Sequence, residues 1–177
     1  MDQVVYGSKN SVLYRVKNDE YYTPKAEWLN IEKYIPKGKI IWEPFNNIEY
    51  PNSLESGKSL RQMGFKVISK PYNPKTGKND FFKSDHGDIV VSNPPFASKR
   101  EILTRLKEIN KPFILILPLP TMNTIYFREL FMQEKDFGII IPKKRIDFEN
   151  KMNKMSNCFE CAFYCWKVGV KGINWIN

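Results

Sequence analysis

Two short, wholly apolar runs that stop abruptly limit what this chain can become. Asp88-Ile89-Val90-Val91-Ser92 halts at Asn93-Pro94-Pro95-Phe96, and Pro112 to Leu117 halts at Pro118. Apolar runs of this length, without polar alternation, read as strands covered on both faces, as in parallel sheets. Between them Ser98 is the expected cap of a helix to about Ile109, with Ile102, Leu103 and Leu106 on one face. Strands are also expected at Lys39 to Trp42, Phe65 to Ser69, Ile139 to Ile141 and Phe159 to Trp166. Helices are expected from Thr23-Pro24 through Tyr34, from Ser53 to Met63 and from about Asn123 to Gln133. In the first of these Thr23 reads as the N-cap and Pro24 as the first helical residue. Alternation of strand and helix in this rhythm predicts a doubly wound α/β sheet. Such sheets bind ligands at the carboxyl ends of their strands, so the residues there are the ones to search for chemistry.

At 177 residues, with no repeat and no Ser/Gly-rich linker, the chain is expected to form one domain over 1–177, with residues 1–20 as an irregular arm. No apolar stretch approaches the ~20 residues that span a bilayer, and Met1-Asp2-Gln3 does not open a secretion signal. An intracellular protein without a membrane partner is therefore expected. Lys and Arg number 28 against 19 Asp and Glu, a net charge of +9 that suggests a polyanionic partner.

Cys158, Cys161 and Cys165 crowd one window, and with His86 they invite a metal-site reading. The same window reads as a strand, with Phe159, Cys161, Phe163 and Cys165 on one apolar face. Cys161 and Cys165 would then stand roughly 13 Å apart, too far to share a metal or a disulfide. The strand reading is preferred and no metal is expected.

Asn93-Pro94-Pro95-Phe96 sits at the ligand edge. Two prolines remove two backbone donors and keep the carbonyls out of a helix. The Asn side chain adds an acceptor oxygen, and the Phe ring a flat surface. That set suits an exocyclic amino group, which needs acceptors for its hydrogens and a ring to hold its plane. A plain Pro-Pro turn is the alternative, weakened by the placement between a buried strand and a helix.

On these residues the chain resembles the S-adenosylmethionine-dependent amino-methyltransferases, whose signature at the end of the fourth strand is Asp/Asn/Ser-Pro-Pro-Tyr/Phe. Only three strands are legible up to that point, so a further short one near Asp80 to Phe82 is expected. The resemblance implies a class I methyltransferase fold: a Rossmann-like, doubly wound, mostly parallel sheet with an antiparallel last strand. It assigns Asn93, Pro94, Pro95 and Phe96 to catalysis. Asn93 and the Pro94 carbonyl would accept hydrogen bonds from an adenine N6 amine, and Phe96 would stack on the extruded base. Tyr21-Tyr22-Thr23-Pro24 resembles the segment lining the methionine end of the cofactor. Glu43-Pro44-Phe45 stands where the family cradles that end, and Asp80-Phe81 where it meets the cofactor adenine. Asn93 borders the cofactor as well.

Two departures stand out. Asn46-Asn47-Ile48-Glu49-Tyr50 follows Phe45 in place of the glycine-rich turn, and the second strand ends Ile68-Ser69-Lys70-Pro71 without the acidic residue that commonly binds the cofactor ribose. A small group of phage and viral DNA N6-adenine methyltransferases shares the glycine-poor loop. The chain is similar to that group from Tyr21 to Trp166, through Lys99-Arg100-Glu101-Ile102, Arg145-Ile146-Asp147-Phe148 and Cys165-Trp166.

The resemblance implies methyl transfer to adenine in DNA, in a host cell's cytoplasm. RNA adenine and protein glutamine share the signature and stay open as acceptors, as does a silent nucleic-acid-binding partner subunit. The +9 charge favours nucleic acid. Lys99, Arg100, Lys143, Lys144, Arg145, Lys151 and Lys154 are the expected contacts, the run after Pro142 being the preferred loop. With the fold expected to be used up by Trp166, no separate target-recognition domain is expected. Selectivity would come from short loops, a homodimer or a recognition subunit.

Overall fold

A computed structural model describes residues 22–46, 54–148 and 160–176. Helix α1 (Lys25–Leu29) is followed by β1 (Ile40–Trp42), α2 (Glu55–Gln62) and β2 (Lys66–Ile68). Then come β3 (Ile89–Ser92), α3 (Lys99–Glu108), β4 (Phe113–Pro118), α4 (Ile125–Phe131) and β5 (Phe137–Ile141). Strands β6 (Cys161–Trp166) and β7 (Gly172–Trp175) complete one sheet of order β2-β1-β3-β4-β6-β5-β7. Strand β1 pairs in parallel with β2 and β3, β3 with β4, and β5 with β7; β6 lies antiparallel between β4 and β5. This is the doubly wound, mostly parallel α/β architecture expected from the sequence.

The apolar runs explain the centre of that sheet. Every residue of β3 and the first five of β4 are buried. Neighbouring residues of β6 point to opposite faces and meet different layers. Phe163 faces Trp28 of α1, ring centroids 6.2 Å apart, while Tyr164 faces Phe127 of α4 at 5.4 Å. Helix α3 buries Ile102, Leu103 and Leu106, the face its spacing predicted. Burial of each such side chain contributes about 1.5–3 kcal/mol, so both helical layers are held by their apolar stripes. No helix among the described residues is long and apolar enough to cross a membrane.

Three local expectations need correction. Strand β6 is the antiparallel one, but it is not the last. After Trp166 the chain passes beneath the start of β5 and returns as β7. Positive φ at Lys167, Gly169 and Gly172 makes the turns. A Cβ on Gly138 would stand 2.8 Å from the Val170 carbonyl, so its lack of a side chain lets the crossing run close. These glycines are what brings the strand home.

Thr23 does not cap α1. Pro24 occupies the cap position with no side-chain cap bond, because its fixed φ of −61° turns the chain into the helix. Asp80 to Phe82 is a turn and not a strand. Asn79 at φ 61° reverses the chain, and the Asp80 side chain accepts the Phe82 N–H at 3.0 Å. The Asn93 turn therefore closes the third strand of the described sheet.

Cys158 lies outside the described residues. Cys161 and Cys165 are buried on β6, and burial raises both thiols, Cys161 to about 12 against the opposing charge of Arg145. Among the described residues no group of three or more His, Cys, Asp or Glu could hold a metal; His86 instead meets Trp42 edge-on at 5.6 Å. A thiol with that pKa carries roughly one thiolate in 10⁴ at pH 8. A Cys158→Ser variant should thus give no reaction with a disulfide reagent until urea unfolds it. Two equivalents titrated in the native state would contradict this packing.

Candidate functional site

The topology marks one place for a ligand. Strand β1 has β2 on one side and β3 on the other, so the crossovers from β1 and β3 diverge and leave a crevice at their carboxyl ends. The loops entering that crevice begin at Glu43 and at Asn93, the two positions the motifs indicated.

Glu43 is buried at 2 % exposure. A buried carboxylate needs donors, and three side chains supply them. Ser92 Oγ at the end of β3 donates to Oε1 at 2.6 Å. Asn46 Nδ2 donates to Oε2, and Ser69 Oγ at the end of β2 approaches Oε2 at 3.5 Å. The Asn46 amide also reaches the Glu43 carbonyl and Ser69 Oγ, each at 2.8 Å. One carboxylate therefore ties together the carboxyl ends of β1, β2 and β3. Asn46 and Ser69 departed from the expected pattern, and Ser92 closed an ordinary strand. Together they are the partners that make a buried Glu43 tenable.

Beside this hub stands an aromatic wall. Phe81 is fully buried, stacked on Trp42 at 5.4 Å with planes 30° apart and tilted against Phe45 at 4.8 Å. Pro44 completes the β1 loop, and the Tyr72 N–H donates to the Asn46 carbonyl at 2.8 Å. Burial raises the Tyr72 phenol above its usual range, and the negative charge of Asp80 adds to the shift. Asp80 is 1 % exposed, and the Lys83 ammonium stands 3.7 Å from its Oδ2.

Buried polar atoms here lack hydrogen bonds. Among the described residues Thr23 Oγ1, Asn46 Oδ1 and Asp80 Oδ2 have no hydrogen-bond partner, Asp80 Oδ2 having only the Lys83 ion pair. Each such atom costs about 1–3 kcal/mol, which a folded chain rarely leaves uncompensated. Asn46 and Asp80 flank the rings of Phe45 and Phe81 with oxygens that can accept. The crevice suits a ligand rich in N–H and O–H donors that also carries a flat ring.

Asn93, Pro94 and Pro95 leave the end of β3, and a turn of 3-10 helix at Phe96–Ser98 leads into α3. Ser98 holds the N-cap position without a side-chain cap bond; its N–H donates to the Pro95 carbonyl at 3.1 Å. Phe96 is 9 % exposed and meets Phe148 edge-on, ring centroids 6.4 Å apart. Phe148 and Ile146 are themselves buried. The segment after β5 thus folds over the Asn93 turn and reaches α1, where the Asp147 N–H comes within 3.5 Å of Glu27. Burial raises the Glu27 carboxyl, opposed by the Asp147 N–H and the Asn30 amide.

The expected nucleic-acid contacts are placed unevenly. Lys99 donates to the Phe96 carbonyl at 3.1 Å and so braces the turn. Arg100 lies over the Tyr126 ring at 5.9 Å. Arg145 pairs with Glu160 at 3.2 Å, while Lys143 and Lys144 are exposed after β5. Tyr22 is half-buried ahead of α1. Tyr21, Lys151 and Lys154 lie outside the described residues. In the sequence Phe148 is only part of the resembling tetrapeptide Arg145-Ile146-Asp147-Phe148, and nothing in its sequence context announces a contact with Phe96.

No family model matches the chain, and no curated protein matches it. Among solved structures it is similar to a modification subunit assigned to a type I restriction enzyme from Vibrio vulnificus YJ016. The TM-score is 0.47 at 12 % identity, over 89 % of this chain and 47 % of that one. The chain thus spans about half the length of that protein, and a likeness at this level adds no weight to a functional reading.

Proposed function

We propose that this protein is an S-adenosylmethionine-dependent methyltransferase acting on the N6 amine of adenine in DNA. The observation that carries this reading is the meeting, across the β1/β3 crevice, of the Asn93-Pro94-Pro95-Phe96 turn with the Glu43 hub and its unmet acceptors. The cofactor carries ribose hydroxyls, two amino groups and a purine, which fits Thr23, Asn46 and Asp80 as polar partners and Phe45 and Phe81 as the ring surface. When bound, it supplies a methyl group on a sulfonium centre. Asn93 and the Pro94 carbonyl accept the two amine hydrogens of the target and so aim its nitrogen lone pair. Phe96 offers a ring to an extruded base, and Phe148 at its edge is the second aromatic group such a base meets. The net charge of +9 favours a phosphate-bearing acceptor over a protein.

The test is methyl transfer from tritiated cofactor to duplex DNA, single-stranded DNA, RNA and a protein extract, with calorimetric titration of the cofactor alongside. Label in DNA, digested to N6-methyladenosine, is the expected result. Failure to bind millimolar S-adenosylmethionine sinks the enzyme reading, and label in RNA or protein moves it to another acceptor.

A further inference from the structure

The chain has four tryptophans. Trp28, Trp42 and Trp166 are buried, whereas Trp175 is 69 % exposed. It ends β7, the outermost strand, and Ile173 on the same face is 62 % exposed. Its position is fixed from the backbone, since Trp175 is in register with Ile141 and the Ile176 N–H donates to the Ile141 carbonyl at 3.0 Å. Directly after Ile141 come Pro142, Lys143 and Lys144, both lysines exposed.

Strands β3, β4, β5 and β7 all run the same way, so their carboxyl ends share one edge. That edge carries the Asn93 turn, the Lys143-Lys144 pair and Trp175. Four steps in the strand order separate β3 from β7, about 19 Å at ~4.8 Å per step. An apolar ring beside two exposed lysines, in line with a site read as taking a nucleobase, has the makings of a strand-binding track. A protein-binding patch would be expected to have few lysines at its centre, and here two follow within three residues of Ile141, the strand partner of Trp175.

We propose that Trp175 is a stacking platform for a base of the nucleic-acid strand that carries the target, with Lys143 and Lys144 neutralising the phosphates between it and the Asn93 turn. This rests on the reading of the protein as a nucleic-acid methyltransferase. Because every base has a π-face, such a platform would add affinity without sequence demands.

Trp175 can be followed alone, as the other three indoles are shielded. The full chain is titrated with a single-stranded oligodeoxythymidylate of about 12 nucleotides, within the length such proteins cover. Tryptophan emission and its access to iodide are recorded. Binding should quench the iodide-accessible emission. Trp175→Ala should remove that signal and, by a fluorescent-oligonucleotide assay, weaken affinity about 5- to 100-fold. Trp175→Phe should stay within about threefold of wild type because it keeps a stacking ring. Lys143→Gln and Lys144→Gln should each lower the salt slope by about one.

Equal affinity of Trp175→Ala and wild type overturns the proposal. So does a concentration-dependent mass, lost in Trp175→Ala with oligonucleotide affinity unchanged, which would make this edge an interface between copies. A wild-type chain that binds neither oligonucleotide nor S-adenosylhomocysteine overturns both this proposal and the reading beneath it. Methyl transfer that persists without a Trp175 effect overturns this proposal alone.

Discussion

Replacing Asn93 with alanine is expected to lower kcat for methyl transfer by at least about 10²–10³-fold while S-adenosylhomocysteine binds within about threefold of wild type. The two readouts separate because Asn93 is assigned to the amine that receives the methyl group. An exocyclic amine has its lone pair delocalised into the ring. Two acceptors aimed at its hydrogens favour the tetrahedral geometry in which that lone pair is available. Removing one acts on the transition state more than on ground-state binding, so the loss should appear in kcat and not in KM. Asn93→Asp keeps an acceptor at the same place and should recover part of the rate. A residue that merely shaped the Pro94-Pro95 turn would show no such rescue, and full activity in Asn93→Ala would refute the assignment.

The fold was legible where its local signals agreed. Ile89 to Val91 and Phe113 to Leu117 are apolar without alternation, and both became central strands; the stripe of Ile102, Leu103 and Leu106 became the buried face of α3. Local signals failed where a distant contact decided the outcome. The fold was expected to be used up by Trp166, yet Gly169 and Gly172 allow the crossing beneath β5 that delivers β7, and Gly138 some thirty residues earlier leaves it room. Thr23 looked like a cap because threonine often is one, and no local pattern tells a capping hydroxyl from a buried one left for another partner.

The candidate site divides in the same way. Glu43, Asp80 and Asn93 announced themselves through neighbours with unusual chemistry. Asn46 and Ser69 looked like deficits, since a glycine and an acid were missing from an expected pattern. Their role depends on β1, β2 and β3 converging, which sequence order hides: Asn46 and Ser69 are 23 positions apart, and Glu43 and Ser92 are 49 apart.

That convergence makes Glu43 the residue whose loss should be felt most widely. Glu43→Leu leaves Ser92 Oγ buried without its carboxylate acceptor and takes from the Asn46 amide one of its three acceptors, the Glu43 carbonyl and Ser69 Oγ remaining. The stranded donor costs about 1–3 kcal/mol, partly offset because a buried carboxylate no longer has to be kept from water. A net destabilisation of about 1–3 kcal/mol is expected, seen as a lower urea midpoint with an unchanged m-value. Cofactor affinity should fall as well, since Asn46 loses one of the three bonds that orient its side-chain oxygen. Glu43→Gln is the sharper probe. It keeps the shape and can still accept from Ser92, but it sets one amide NH₂ against another at Asn46. Adding Asn46→Asp to it turns that clash into a donor–acceptor pair. The double variant should therefore be more stable than the sum of the single changes, by about 0.5–3 kcal/mol. Strict additivity would mean that Glu43 and Asn46 do not act as one unit, and the hub would lose its claim to shape the crevice.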